Sequence, residues 1–131
     1  MNLRTLACLG ALVALAILVA MPVQPVTAAS NTMDALDPDR DGTIDMAEAL
    51  AAGGKVFYRL NPDNDGTLDA RELAGRLDPR RDPDGDGTLD VDEYSAIIIA
   101  RFKRANPDND GTIDDRELHS PAGQALLRLI K

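Results

Sequence analysis

The sequence predicts an all-α fold: a compact three-helix bundle carrying four acidic loops, with neighbouring loops sharing a helix and loops paired first with fourth and second with third. Three observations lead there. A pattern D/N-P-D-x-D-G-T-I/L-D-x-x-E recurs four times, starting at Asp37, Asn61, Asp82 and Asn106. The stretches between repeats, Ala49 to Leu60, Leu73 to Arg81 and Tyr94 to Ala105, hold only 12, 9 and 12 residues. The two longer stretches place apolar residues at helical spacing.

The chain divides into residues 1–29 and residues 30–131. The first part has one positive residue, Arg4, then the apolar run "LACLGALVALAILVAM" and the small residues of "VQPVTAAS". That order is expected of a secretory signal peptide, cleaved after Ala28 or Ala29. Its apolar run is shorter than the ~20 residues a bilayer span needs. Cys8 leaves with it, so the mature chain has no cysteine and no disulfide framework. Losing Arg4 lowers the net charge from −8 to −9. So acidic a chain offers phosphate no basic face, which disfavours a nucleic-acid partner, and none is expected. With only Phe57, Tyr58, Tyr94 and Phe102 as aromatics, the predicted core is thin, and a cation is expected to complete the fold.

Each repeat fits the EF-hand loop, with oxygen-bearing residues at positions 1, 3, 5, 9 and 12, a backbone carbonyl at 7 and glycine at 6. The candidate ligands of loop 1 are Asp37, Asp39, Asp41, Thr43, Asp45 and Glu48, and of loop 2 Asn61, Asp63, Asp65, Thr67, Asp69 and Glu72. Loop 3 offers Asp82, Asp84, Asp86, Thr88, Asp90 and Glu93, and loop 4 Asn106, Asp108, Asp110, Thr112, Asp114 and Glu117. A hard cation needs six or more oxygens, and a twelve-residue loop supplies them only by turning sharply at Gly42, Gly66, Gly87 and Gly111. All four glutamates and 14 of the 18 aspartates fall on ligand positions, whereas a merely solvated acidic surface would scatter them.

Twelve residues cannot hold an exiting helix, a turn and an entering helix, so one helix must serve two loops. In "MAEALAAGGKVFYRL" the expected buried stripe is Ala47, Leu50, Ala51, Phe57 and Leu60, with Gly53 and Gly54 weakening or bending the helix. In "VDEYSAIIIARFKRA" it is Tyr94, Ile97, Ile98 and Phe102, bordered by Arg101. Each helix rises ~18 Å, so its two loops sit at opposite ends. Antiparallel packing then sets Ile44 opposite Ile113 and Leu68 opposite Leu89 as short strand pairs. A helix begun near Ala70 is expected to stop at Asp78-Pro79. The last helix opens with Ser120 as N-cap and Pro121 at its first position, and Leu126, Leu127 and Ile130 close the core. His119 reads as a surface residue beside that cap.

Loops 1 and 3 carry five carboxylates each and loops 2 and 4 carry four. Two such charges 4 Å apart repel by about 4 kcal/mol at an effective dielectric of 20, so the empty loops should resist folding. Attraction grows with cation charge, which favours a trivalent ion. Asp at position 9, where calcium loops often use water, adds a direct or outer anionic oxygen.

Proline at position 2 (Pro38, Pro62, Pro83, Pro107), Asp at position 9 (Asp45, Asp69, Asp90, Asp114), the 12-residue gaps and the ending "NPDNDGTIDDREL…SPAGQALLRLI" resemble the lanmodulin family. The resemblance covers essentially the whole mature chain; it implies selective binding of lanthanide(III) ions, up to four, over calcium, metal-driven folding and a periplasmic role in lanthanide uptake or trafficking. The implied partners are metal ions and a periplasmic lanthanide-dependent dehydrogenase or uptake system, with no membrane contact after signal cleavage; the chain would be a monomer or a metal-dependent dimer. One departure is a link between loops 2 and 3 about four residues shorter than the family pattern. The alternatives are an exported calcium-binding EF-hand sensor and a structural calcium module, with thrombospondin-like repeats and dockerins as further relatives of the loop. Only Met33 and Met46 remain after cleavage, few for a sensor groove. Catalysis is not expected, because the clustered acids are assigned to loops and no nucleophile with a base partner is evident.

Overall fold

The computed structural model describes residues 30–77, 82 and 84–131. The expected signal segment, the Asp78-Pro79 stop and Pro83 lie outside the described residues. Among the described residues the chain is mostly helical, in the order α1 (Ser30–Leu36), β1 (Ile44–Asp45), α2 (Met46–Leu60), β2 (Thr67–Leu68), β3 (Leu89–Asp90), α3 (Val91–Ala105), β4 (Thr112–Ile113), α4 (Asp115–His119) and α5 (Pro121–Ile130). No described helix is long and apolar enough to cross a membrane.

Helices α2 and α3 each run without interruption from one acidic loop into the next. Both stop where proline at position 2 requires, since Asn61 is the C-cap of α2 and Asn106 that of α3, with φ near −104° and −108°. Helix α1 likewise ends at Leu36, one residue before loop 1. Loop 2 is followed by no helix. Leu73 N–H reaches Asp69 O at 3.0 Å for one turn, and then Ala74 and Gly75 take φ of +45° and +74°. A left-handed pair closes a helix at its first turn, so the helix expected from Ala70 to Asp78 is absent up to Leu77.

β1 pairs antiparallel with β4, setting Ile44 opposite Ile113, and β2 pairs with β3, setting Leu68 opposite Leu89. These four side chains occupy position 8 of the loops and are at most 1 % exposed. They form the part of the core that ties loop to loop. Most of the rest lies among α2, α3 and α5, which pack on one another, joined by Met33 and Leu36 of α1, Leu73 and Leu77 after β2, and Leu118 of α4. Tyr94 on α3 donates its hydroxyl to Leu129 O of α5 at 2.8 Å, and its ring meets Phe57 of α2 edge-on, centroids 5.6 Å apart. Burial pushes the Tyr94 hydroxyl pKa up to about 12.

The buried stripe of α2 differs from the expected one. Ala49, Gly53, Val56 and Phe57 face the core, Leu50 and Leu60 lie at its edge, and Ala47 and Ala51 face solvent. Gly53 lies at the contact between helices: a Cβ there would lie 2.1 Å from Ile98 Cδ1, so glycine lets α2 and α3 approach closely. On α3 the stripe is Tyr94, Ile98, Phe102 and Ala105, with Ile97 half-buried. On α5, Leu126, Leu129 and Ile130 are buried and Leu127 is at the margin. Ser120 caps α5 by accepting from Gly123 N–H, and Pro121 occupies N1. His119 is exposed, with Nδ1 2.6 Å from Asp115 O.

Candidate functional site

The four loops are built alike, and each side chain's place follows from a local hydrogen bond. Glycine at position 6 takes φ of +90°, +93°, +92° and +101° in loops 1 to 4, a turn that a side chain would strain. Position 4 is left-handed too, at Arg40, Asn64, Gly85 and Asn109. Asn and Gly tolerate that conformation, whereas arginine at position 40 holds it at a cost of about 1 kcal/mol. At position 5, Asp41, Asp65, Asp86 and Asp110 each accept from the backbone N–H and the hydroxyl of the Thr at position 7, at 2.7–3.1 Å. The hydroxyl thereby orients a carboxylate that sits among its own kind.

Positions 9 and 12 form a reciprocal pair. Asp45, Asp90 and Asp114 are the N-caps of α2, α3 and α4; each accepts from the N–H of the Glu at position 12, while Oε2 of that Glu accepts from the Asp N–H. Asp69 and Glu72 make the same two bonds at 2.9 Å although only one helical turn follows. The expected role of position 9 as a metal-facing or outer anion is therefore joined by a second one, starting the exiting helix. The capping box D-x-x-E was legible in every repeat.

Position 1 separates the loops into two kinds. In loop 1, Asp37 Oδ1 accepts from Arg40 N–H (2.6 Å) and Asp41 N–H (3.2 Å), and Oδ2 accepts from Gly42 N–H (2.8 Å). In loop 3, Asp82 accepts from Gly85 N–H (2.8 Å) and Gly87 N–H (2.6 Å). In loops 2 and 4, Asn61 and Asn106 are 3–4 % exposed and their Oδ1 atoms have no protein hydrogen-bond partner. Glu48 Oε1 in loop 1 is likewise buried without one. A buried acceptor left unpaired costs about 1–3 kcal/mol, and a cation would satisfy all three.

Carboxylates converge in two of the loops. One oxygen from each of Asp37, Asp39 and Glu48 lies within 4.8 Å of the others, and so do oxygens of Asp82, Asp84 and Asp86. The described residues of loops 2 and 4 form no such three-carboxylate group, as expected where position 1 is Asn. Crowding shows in the titration behaviour. Burial, joined by the charges of Asp39, Asp45 and Asp37, holds Glu48 above the ordinary carboxylate range despite the opposing Asp45 N–H. Glu117 is raised in the same way, by burial and then by Asp108, Asp114 and Asp110. Asp39 is raised chiefly by the hydrogen bond it shares with Asp37. Asp84 is drawn down by Asp86 N–H but raised overall by its bond with Asp82, burial and neighbouring charge. At Asp37 burial pushes upward, yet the amides of Gly42, Arg40 and Asp41 and the bond with Asp39 hold it below the ordinary value. Asp82 is lowered chiefly by Gly87 N–H, and Asp69 by the amides of Glu72 and Arg71.

Among known proteins, a model of the EF hand matches residues 30–48, which span α1, loop 1 and the first residues of α2. The chain is also 57 % identical over 71 residues to lanmodulin of Methylorubrum extorquens, an alignment covering 53 % of each protein. The aligned stretch thus spans about half the length of that relative. The chain is thus similar to lanmodulin over about half its length and to an EF hand around loop 1, and its acidic groups are placed where they could hold a cation. Both similarities point to binding rather than catalysis.

Proposed function

We propose that this lanmodulin-like chain binds trivalent lanthanide ions selectively, one in each of its four loops, and folds as it does so. The observation that carries the reading is loop 1, where three carboxylates converge and one of them, Glu48, keeps a buried oxygen without a protein partner. The ligands proposed are the oxygen-bearing residues at positions 1, 3, 5, 7, 9 and 12 of each loop. A divalent ion leaves a charge of −3 in loops 1 and 3 and −2 in loops 2 and 4, and a trivalent ion leaves −2 and −1, so repulsion that opposes folding is more fully cancelled by the trivalent ion. On this reading residues 1–29 direct export, the metal-loaded form is a compact bundle of α2, α3 and α5, and the protein captures or carries lanthanides in the periplasm. A lanthanide-dependent dehydrogenase or an uptake system would receive the metal.

The test is circular dichroism of the mature, metal-free protein titrated with buffered lanthanum and, separately, calcium. Helicity rising at far lower free lanthanum supports the proposal. An equal response to micromolar calcium would sink it in favour of a calcium module.

A further inference from the structure

Three cations of the described residues gather around one cavity that is lined by none of the acidic side chains of the loops. A cavity of about 570 Å³ lies where α1, the segment after β2, α4 and α5 meet. Its polar lining is Thr32, Arg76, His119, Gln124, Arg128 and Lys131, and Leu118 and Leu127 supply apolar wall. No lining side chain is a carboxylate, in a chain where Asp and Glu outnumber Lys and Arg by 22 to 14. Asp115 touches the lining from beside it, with Oδ1 3.5 Å from His119 Nδ1. None of the proposed metal ligands lines the cavity.

The donors are partly committed, in ways that fix their positions. Arg76 Nη1 reaches the main-chain oxygens of Arg128 and Lys131 at 3.2 and 3.3 Å, leaving the rest of its fork. Lys131 Nζ donates one hydrogen to Thr32 Oγ1 at 2.7 Å and has two more. Gln124 Nε2 is held on Leu118 O at 3.0 Å. The Arg128 guanidinium has no hydrogen bond or ion pair among the described residues. Arg76, Arg128 and Lys131 are thus three cations around one concavity, with no side-chain carboxylate paired to them among the described residues and one of them, Arg76, reaching the terminal oxygen of Lys131.

We infer that this cavity binds a small organic or inorganic dianion, of the dicarboxylate or sulfate type. The volume lies within the range of about 300–1,000 Å³ usual for small-molecule pockets. Guanidinium and ammonium donors suit oxyanions, and bidentate contacts from an arginine fork favour a carboxylate or a tetrahedral oxyanion. The lining has no acidic side chain to attract a cation, and its one aromatic ring is the His119 imidazole, with no Phe, Tyr or Trp to stack a base. The walls come from three stretches far apart in sequence, at Thr32, at Arg76 and from Leu118 to Lys131, so the anion binds only the assembled fold and stabilises it. Cation and anion therefore strengthen each other's binding through folding, without sharing a ligand atom.

The test uses the full mature chain folded by whichever cation folds it, so its outcome is independent of the lanthanide reading. Succinate and sulfate are titrated in turn at a constant ionic strength of about 0.1 M, with chloride as the control, by calorimetry and by amide NMR shifts. Saturable binding with shifts centred on Arg76, His119 and Arg128 is expected, about tenfold weaker in Arg128→Gln. Arg104→Gln, an exposed cation elsewhere, should leave it unchanged. The relative strengths of succinate and sulfate tell a dicarboxylate site from a tetrahedral oxyanion site. Shifts no larger than those with chloride, or equal losses in Arg128→Gln and Arg104→Gln, would overturn the inference.

Discussion

Replacing aspartate at position 9 separates the two roles the structure gives it. Asn at Asp45, Asp69, Asp90 and Asp114 together keeps a side-chain oxygen for the N–H of position 12, a bond of 2.7–2.9 Å here, and removes only charge. Ala at the same four positions removes both. Asn and Asp are equivalent N-caps, whereas Ala costs about 1 kcal/mol per helix, or about 3 kcal/mol over α2, α3 and α4. The charge effect follows from Coulomb's law. Because one oxygen of each Asp is held on the helix, we take its charge to act from roughly 5 Å, and one extra unit on the cation then changes affinity by roughly fourfold at a water-like dielectric and a few hundredfold at 20. The assay is helicity against free lanthanum and free calcium for wild type, the Asn variant and the Ala variant. The Asn variant should fold fully with metal yet lose between about fourfold and a few hundredfold of its lanthanum-over-calcium preference per site. The Ala variant should also need more of either metal to fold. An Asn variant with an unchanged lanthanum-to-calcium ratio would refute the electrostatic role and leave position 9 as a cap alone.

Two glycines should respond in opposite directions. Gly54→Ala meets nothing within 4 Å and should stabilise the loaded protein by up to about 1 kcal/mol, whereas Gly123→Ala would set a Cβ 2.2 Å from Glu117 O and 2.5 Å from Leu118 O and should cost about 3 kcal/mol or more, read by thermal melts. The clash falls on α4, so loop 4, which ends in Glu117, should weaken first. The metal-free protein should be most helical between the ordinary carboxylate values of 3.8 and 4.5. Asp39, Glu48, Asp84 and Glu117 are raised on folding, so the stability they contribute is full below those values and lost as pH rises through their folded pKa. Asp37, Asp69 and Asp82 are lowered, so theirs is present above 3.8 and lost as pH falls through their folded pKa. Helicity rising steadily from pH 4 to 7 without metal would contradict this.

Much of the fold was legible because short gaps permit few solutions. Twelve residues between loops force one shared helix, and Ile44, Leu68, Leu89 and Ile113, each flanked by polar residues, mark the pairing positions. What misled was reading α2 as a face of apolar residues. Gly53 carries no apolar weight, yet it lies at the contact with Ile98, and the stripe turns with it from Ala47 and Ala51 to Ala49 and Val56. The turn after loop 2 was missed because nothing in "RELAGRL" announces that Ala74, an excellent helix former, would take a positive φ beside Gly75. In the loops, carboxylate spacing gave the candidate ligands, and Asn61 and Asn106 were read as a loss of charge. Their buried, unpartnered oxygens depend on the three-dimensional path of the helix ends, which spacing does not encode.

The two strand pairs enclose very different lengths of chain, one inside the other like brackets. Leu68 and Leu89 are 21 residues apart and Ile44 and Ile113 are 69 apart. Closing the longer span in an unfolded chain costs about 1 kcal/mol more entropy than closing the shorter. Once the inner pair forms, it shortens the path that the outer pair must close. On the proposed reading, pairing of loops 2 and 3 would come first, and ions held there would prepare the ground for loops 1 and 4, even though loops 1 and 3 carry the greater charge.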